Sequence, residues 1–404
     1  MFNVCIRMRH AYYLFSKAPF VLLIILFGFQ LTYAQDNIYT LVHQGDLDRY
    51  FFPLWALDSK MFSVQVMSGE EARGKTNLLT LYIYYKSDDD GWKGIKLFNP
   101  EQKKKSGPVI NKSFDRNERS LCWPVNNSAG KNKHWAMVSG GEVTGNSNNN
   151  NITIIQNWIT ELGEVKNTRQ SIITGLNGLV HSYSVPGKAE LFVTFNSQDR
   201  RVLNKIIPIG SNTPCTEVES FHLPIRSLAA SEDGQVIILI IGSETVYEFW
   251  MSSDGGNSFS QLDILIDGYT IFTEVDIDPK DPNIISFIAS DNAQSEKETA
   301  DLCVYNMKNG KIINKTEVFR HKQIFYSGQA YHQWSPSGQL LYFIKSNSKN
   351  DKHLYMWNIE SGDISKCNLP DNDIKTFKYS PDGNYLTIIS NTSTRNMRIY
   401  SISR

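Results

Sequence analysis

The chain has 404 residues, 41% of them hydrophobic, and is therefore long enough to bury a large core. Its 41 Lys and Arg residues balance 41 Asp and Glu residues, so the formal net charge is zero. Nucleic-acid binders usually carry a basic excess, and this balance argues against a nucleic-acid partner.

The N-terminus has the features of a secretory leader. Basic residues precede an uncharged apolar stretch at 18–29, and Thr32-Tyr33-Ala34 supplies the small residues that a signal peptidase reads. We therefore expect a signal peptide at 1–34 and a mature, exported domain at 35–404, in the periplasm or outside the cell. The alternative is an uncleaved membrane anchor, although the apolar stretch is shorter than the roughly 20 residues of a membrane span.

The mature chain consists of short β-rich runs separated by turn residues, with almost no helical periodicity. Typical runs are Ile237-Ile238-Leu239-Ile240, Tyr342-Phe343-Ile344 and Leu386-Thr387-Ile388-Ile389. Short apolar runs of this kind, bounded by turn residues, predict an all-β domain.

One turn recurs along the chain: a small or acidic residue, often Pro, then Asp or Gly, then an apolar strand. The two clearest copies, at 335–338 and 380–383, lie 45 residues apart. Further copies lie at 231–237, 278–285 and 184–191, with weaker ones near Asn127 and Asp58.

A period of about 40–50 residues that contains four short strands is typical of β-propellers. Seven copies predict a single β-propeller with about seven four-stranded blades. Pro and Gly suit a tight reversal between the innermost strand of a blade and its second strand.

The C-terminus predicts how this ring closes. The last repeat, at 380–383, has only three strands around it, at 376–379, 385–389 and 397–402, whereas a complete blade needs four. The run at 38–43 has no other partner and is expected to be the fourth strand. A ring closed in this way leaves no long sheet edge exposed.

An eight-residue segment at 252–259 carries an Asp-box pattern, Ser/Thr-x-Asp-x-Gly-x-Thr/Ser-aromatic. It resembles the hairpin of sialidase-type (BNR) and sortilin-type propellers, where the motif is structural and lies between the third and fourth strands of a blade. The residues at the pattern positions are Ser252, Asp254, Gly256, Ser258 and Phe259.

Three other segments resemble propeller motifs. Ser87 to Trp92 is similar to a degenerate second Asp-box, and Asp278-Pro279-Lys280-Asp281-Pro282-Asn283 is similar to a turn of the same families. The Ser-Pro-Ser/Asp-Gly pair at 335–338 and 380–383 resembles instead the WD40-like repeat of TolB-type propellers. These motifs specify blades and imply no activity.

Catalytic signals are weak. A sialidase would need an arginine triad and a Phe/Tyr-Arg-Ile-Pro element, and neither Arg49 nor Arg226 fits that element. The histidines show no metal-binding spacing, so we expect no catalytic residue, metal or cofactor. Cys122, Cys215, Cys303 and Cys367 could form two disulfides or remain four buried thiols.

The sequence therefore favours a non-catalytic, exported β-propeller that binds another protein or a glycan. Association with a membrane is expected only if the leader stays uncleaved. The alternative is a secreted carbohydrate-active hydrolase with a sialidase-like fold and a divergent active site.

Overall fold

The expected leader at 1–34 lies outside the part of the chain that the structure describes. Within the described part, no helix is long and apolar enough to cross a membrane. The computed structural model describes residues 38–45, 49–55, 59, 61–67, 80–87, 91–96, 120–125, 133–140, 151–159, 165–174, 179–184, 191–195, 198–207, 215–243, 246–264, 266–291, 299–319, 332–348, 351–371, 373–390 and 396–403.

These residues form β-strands joined by turns. The first half of the chain contributes β1 (Ile38–Gln44), β2 (Arg49–Trp55), β3 (Met61–Met67), β4 (Thr80–Ser87), β5 (Gly91–Lys96), β6 (Ser120–Val125), β7 (Lys133–Gly140), β8 (Asn151–Ile159), β9 (Val165–Thr174), β10 (Leu179–Ser184), β11 (Leu191–Phe195), β12 (Val202–Ile206) and β13 (Cys215–Ser220). The second half contributes β14 (Ile225–Ala230), β15 (Ile237–Gly242), β16 (Tyr247–Ser252), β17 (Ser260–Leu262), β18 (Ile271–Ile277), β19 (Ile284–Ser290), β20 (Thr299–Asn306), β21 (Lys311–Phe319), β22 (His332–Trp334), β23 (Leu340–Ser348), β24 (Asp351–Asn358), β25 (Ile364–Lys366), β26 (Ile374–Tyr379), β27 (Tyr385–Ser390) and β28 (Met397–Ser403).

In the described residues, the strands form seven four-stranded sheets. Six sheets are made of consecutive strands: β2–β5, β6–β9, β10–β13, β14–β17, β18–β21 and β22–β25. The seventh has the order β1-β28-β27-β26, so a strand from the start of the described chain lies beside its last strand. The all-β prediction and the expected pairing of the 38–43 run are confirmed.

The repeated turn joins the first and second strands of its sheets. The backbone N–H groups of Ser231, Ser335 and Ser380 each donate to the carbonyl oxygen five residues later, at 2.9, 2.8 and 2.8 Å. The glycine three residues after each serine has φ between 64° and 72°, a conformation that glycine adopts without steric cost. Asp278 makes the corresponding bond to Ile284 at 3.0 Å. Four predicted copies are thus confirmed, whereas the turns at 185–190, Asn127 and Asp58 lie outside the described residues.

In each sheet, one end strand lies beside the end strand of a neighbouring sheet, and we call these the inner strands. They are β2, β6, β10, β14, β18, β22 and β26. The opposite end strands, which we call the outer strands, are β5, β9, β13, β17, β21, β25 and β1.

Aromatic and aliphatic side chains fill the space between successive sheets. Phe192 and Ile225 share one cluster, Phe249 and Phe287 a second, Val304 and Phe343 a third, Tyr342 and Phe377 a fourth, and Trp55 and Ile399 a fifth. These clusters join the sheets in order from β10–β13 through β26–β28 to β2–β5, which in turn contacts β6. For the remaining junction, between β6–β9 and β10–β13, the side chains of the first sheet lie outside the described residues.

Strand β1 is held by contacts to three sheets. In its own sheet, Gly45 N donates to the carbonyl oxygen of Met397 at 2.9 Å. The Tyr39 hydroxyl donates to Cys367 Sγ at 3.4 Å, next to the sheet β22–β25. The ring of His43 lies 5.4 Å from that of Tyr84, in the sheet β2–β5. The chain therefore uses β1 to link its last sheet to the sheets on both sides.

Candidate functional site

The predicted Asp-box residues form a hydrogen-bonded hairpin between β16 and β17, the third and fourth strands of their sheet. Asp254 Oδ1 accepts from Ser252 Oγ at 2.7 Å and from Ser258 N at 3.0 Å. Asp254 Oδ2 accepts from Ser258 Oγ at 2.6 Å. Bonds from Ser258 and Ser252 hold the pKa of the Asp254 carboxyl well below its usual range. The carboxylate is thus used to hold the hairpin, and the likeness to an Asp-box stays a prediction.

The other two residues of this hairpin face the preceding sheet. Gly256 has φ of 88°, and a Cβ at that position would lie 3.2 Å from Ile237 and 3.3 Å from Phe192. The Phe259 ring meets that of Phe221 edge-on, with centroids 5.7 Å apart. The hairpin therefore joins two sheets and holds the turn between them.

Replacing Gly256 tests this packing. We expect Gly256→Ala to lower the free energy of unfolding by about 2–3 kcal/mol, because it adds a close contact to the cost of a positive φ. Gly362→Ala is the matched control, since Gly362 has φ of 78° with nothing within 4 Å. It should cost only about 1 kcal/mol. Equal losses in chemical denaturation would contradict the packing role of Gly256.

The remaining predicted motifs are also structural in the described residues. Ser87 and Gly91 pair across β4 and β5, while the acidic residues between them lie outside the described residues. Asp281 Oδ1 accepts from the backbone and side chain of Asn283, at 3.0 and 2.7 Å.

Arg226, which was considered for a sialidase element, holds backbone: its Nε donates to the Gly242 carbonyl oxygen at 2.8 Å. No group of three metal-ligating side chains occurs in the described part.

The described cysteines are thiols. Cys303 and Cys367 are buried and Cys215 is half-buried, and none of the three forms a disulfide. Burial raises the pKa of Cys215 to about 11 and those of Cys303 and Cys367 to about 12. Thiols of this kind are poor nucleophiles at neutral pH. The side chain of Cys122 lies outside the described residues.

The inner strands bring together polar residues that the sequence motifs did not single out. They are linked from sheet to sheet by hydrogen bonds that include side chains. Val275 N donates to Ser227 Oγ at 2.9 Å, and the Trp334 backbone donates to Asp276. Tyr379 N donates to Gln333 Oε1 at 3.0 Å, and Trp55 Nε1 donates to the Lys378 carbonyl oxygen at 3.3 Å. The polar residues thus hold neighbouring inner strands in register.

Four titratable residues of the inner strands lie close together and come from three successive sheets. Glu274 and Asp276 lie on β18, His332 on β22 and Lys378 on β26. Glu274 has φ of 54° at an irregularity in the pairing of β18, and its Oε2 lies 4.0 Å from His332 Nδ1. A backbone strained in this way is maintained only where its surroundings hold it. We call Glu274, Asp276, His332 and Lys378 the interior cluster.

Burial dominates the protonation of the interior cluster. It lowers the pKa of His332 to about 3, with the Lys378 charge acting in the same direction and a contact to the Ser286 backbone opposing it. It raises the pKa of Asp276 to about 6, against the favourable charge of Lys378. The pKa of Lys378 is also lowered by burial. At neutral pH the imidazole beside Glu274 is therefore uncharged.

The exposed large apolar side chains lie mostly on outer strands. Leu41 and Val42 on β1 are 47% and 42% exposed, Ile313 on β21 is 41% exposed and Ile364 on β25 is 40% exposed. These outer strands belong to three successive sheets. Val246, which is 49% exposed, precedes β16 and lies on no outer strand. We call the first four side chains the outer apolar band.

No protein-family model matches the sequence, and no curated protein matches it. Among solved structures, the chain is similar to a chain of "Crystal Structure of Mitotic Checkpoint Complex", with 12% identity and a TM-score of 0.52 over 92% of this chain and 98% of that chain. It is also similar to the WD40 β-propeller domain of Doa1, with 13% identity and a TM-score of 0.48 over 91% and 98% of the two chains. For TolB from Acinetobacter baumannii, the identity is 13% and the TM-score 0.41 over 82% and 78%. At such identities the likeness concerns the fold, and the neighbours are WD40 and TolB-type β-propellers.

Proposed function

We propose that the chain is an exported, non-catalytic β-propeller whose seven sheets are the blades of one ring closed by β1, and that it binds a partner protein. The observation that carries the binding role is the outer apolar band. Apolar side chains exposed on neighbouring elements are typical of interaction surfaces. The leader expected at 1–34 supports export.

The fold supports this role in two further ways. The solved chain with the highest TM-score among those given above belongs to a protein complex, and assembly is a common use of a rigid ring. Side chains at the tight turns bond locally, as Ser231 does to Asp233 at 2.6 Å and Ser380 to Asp382 at 2.5 Å. Because these turns are already fixed in the free protein, little conformational entropy is lost when a partner binds.

Two described carboxylates, Asp254 and Asp276, give less support to the alternative, a carbohydrate-active hydrolase. Such an enzyme needs two carboxyl groups that can reach a sugar. Asp276 accepts from the backbone of Ile277 and Trp334, and Asp254 is bonded within its hairpin. Both are used to hold backbone, so a binding role fits these residues better than hydrolysis.

Capture of partners from the native host tests the proposal. The tagged full chain is crosslinked in the envelope and secreted fractions, beside a double variant with Ile313→Ser and Ile364→Ser. We expect a reproducible protein partner that the double variant loses by tenfold or more, whereas the control Val246→Ser retains it. Recovery of glycans with hydrolytic turnover, or equal capture by all three proteins, would overturn the proposal.

A further inference from the structure

The seven outer strands differ in how they are protected against pairing with another chain. An edge strand leaves backbone N–H and C=O groups open, and proteins block such edges with charges, prolines or short length. Among the outer strands, β17 and β25 have three residues each. The strands β5, β9, β13 and β21 each contain at least two charged residues.

Strand β1 has none of these protections. It is seven residues long, with the sequence Ile-Tyr-Thr-Leu-Val-His-Gln, and contains no Lys, Arg, Asp, Glu or Pro. Thr40, Leu41 and Val42 are all exposed in its centre. Its inner face is fixed by Tyr39 and His43, so its position does not depend on a partner. Among the described strands, β1 therefore offers a preformed, uncharged edge.

We propose that β1 is a self-association edge, at which a second copy of this chain adds its own β1 in antiparallel register. This deepens the proposed function by naming a partner for one part of the outer apolar band, and it rests on that function. Pairing centred on Leu41 sets this residue opposite its own copy and Val42 opposite Thr40. Such a contact is the same on both subunits and closes as a two-fold dimer.

Charge supports a second copy as the occupant. Both strands in such a pair are uncharged, so no Lys or Glu is placed opposite a like charge. The full chain has a formal net charge of zero, and removal of the expected leader, with Arg7, Arg9 and Lys17, leaves a small net charge of about −3, so long-range repulsion between two copies is weak. A strongly charged partner strand would find no opposite charge on β1 and would form no ion pair there.

The size of the contact sets its strength. Stable interfaces bury about 1,200–2,000 Å², and one pair of seven-residue strands buries less than that. We therefore expect a reversible dimer with a dissociation constant in the range of about 1 µM to 1 mM.

Sedimentation velocity over a concentration series tests the inference on the purified protein. The wild type should shift from monomer to dimer as concentration rises, and Val42→Lys should weaken dimerisation tenfold or more, because it adds a charge to each edge. Thr40→Lys provides a second variant on the same face, and Val246→Lys is the control that should dimerise as the wild type does. Thermal melts confirm that each variant is folded.

A wild type that stays monomeric up to about 1 mM, the weak end of specific binding, would overturn the inference. So would a Val42→Lys protein that dimerises as strongly as the wild type. Neither result contradicts the proposed function, because partner capture is tested separately, through Ile313 and Ile364 on other outer strands. If the wild-type chain captures no protein from the host fractions yet still dimerises, the proposed function is overturned and β1 is left as a contact between copies.

Discussion

Truncating Tyr39 to alanine is expected to lower the free energy of unfolding by roughly 3 kcal/mol, and deleting β1 should cost still more. The Tyr39 ring packs with the core cluster around Phe377, and its hydroxyl lies 3.1 Å from that of Tyr379. The deletion also exposes the edge of β28, which β1 otherwise covers. Chemical denaturation measures both effects.

Tyr39→Phe is the matched control for this prediction. It keeps the ring in the core and removes only the hydroxyl, which donates to Cys367 Sγ at 3.4 Å. We expect it to cost about 1 kcal/mol, the usual net value of one hydrogen bond. If the alanine variant and the β1 deletion both unfold at the same denaturant concentration as the wild type, the ends of the chain do not stabilise the ring.

The interior cluster is expected to produce two opposite pH dependences, which single variants separate. The pKa of His332 falls from 6.5 to about 3 on folding, so between these values the unfolded chain binds a proton that the folded chain does not. Acidification through this window destabilises the fold, by up to about 1.4 kcal/mol per pH unit. The pKa of Asp276 rises from 3.8 to about 6, so acidification between these values stabilises the fold. In the wild type the two effects largely cancel between pH 6 and pH 4.

We therefore expect His332→Gln to become more stable on acidification from pH 6 to pH 4 and Asp276→Asn to become less stable. Glu274 and Lys378 are unchanged in both variants, so each variant removes one of the two opposing groups and leaves the other. Urea unfolding at four or five pH values measures the slopes. Parallel slopes for the two variants would show that these side chains are not buried as the fold requires.

Much of the fold could be predicted from the sequence because the repeated turn is specified locally. A serine followed three residues later by glycine gives the same reversal at 231–234, 335–338 and 380–383, whatever the rest of the sheet contains. The pairing of β1 could be predicted by elimination, since three strands at the C-terminus lacked a fourth. The signal was weakest in the N-terminal half, where the sequence near Asp58 and Asn127 matches the repeat poorly.

The site was harder to predict for a physical reason. The Asp-box residues are consecutive and bond to one another, so a linear motif finds them. Asp276 and Lys378 are about one hundred residues apart, on β18 and β26, and interact only because the fold brings the inner strands of three successive sheets together. One signal was available: both occupy the position two residues before the repeated turn, where Ala229 stands in another sheet. A charge at an inward position of a buried strand is rare enough to mark an interior site.

Hydrogen exchange of β1 tests the closed ring most directly. Peptides that cover 38–45 and 397–403 are followed by mass spectrometry in the intact protein under native conditions. A ring closed by β1 predicts that the 397–403 peptide exchanges as slowly as β27 and that the 38–45 peptide contains a slowly exchanging fraction, because the β1 amides that donate to β28 are protected while those on its open edge are not. If the 38–45 peptide exchanges within seconds while β27 stays protected, β1 does not close the ring and the proposed propeller is open.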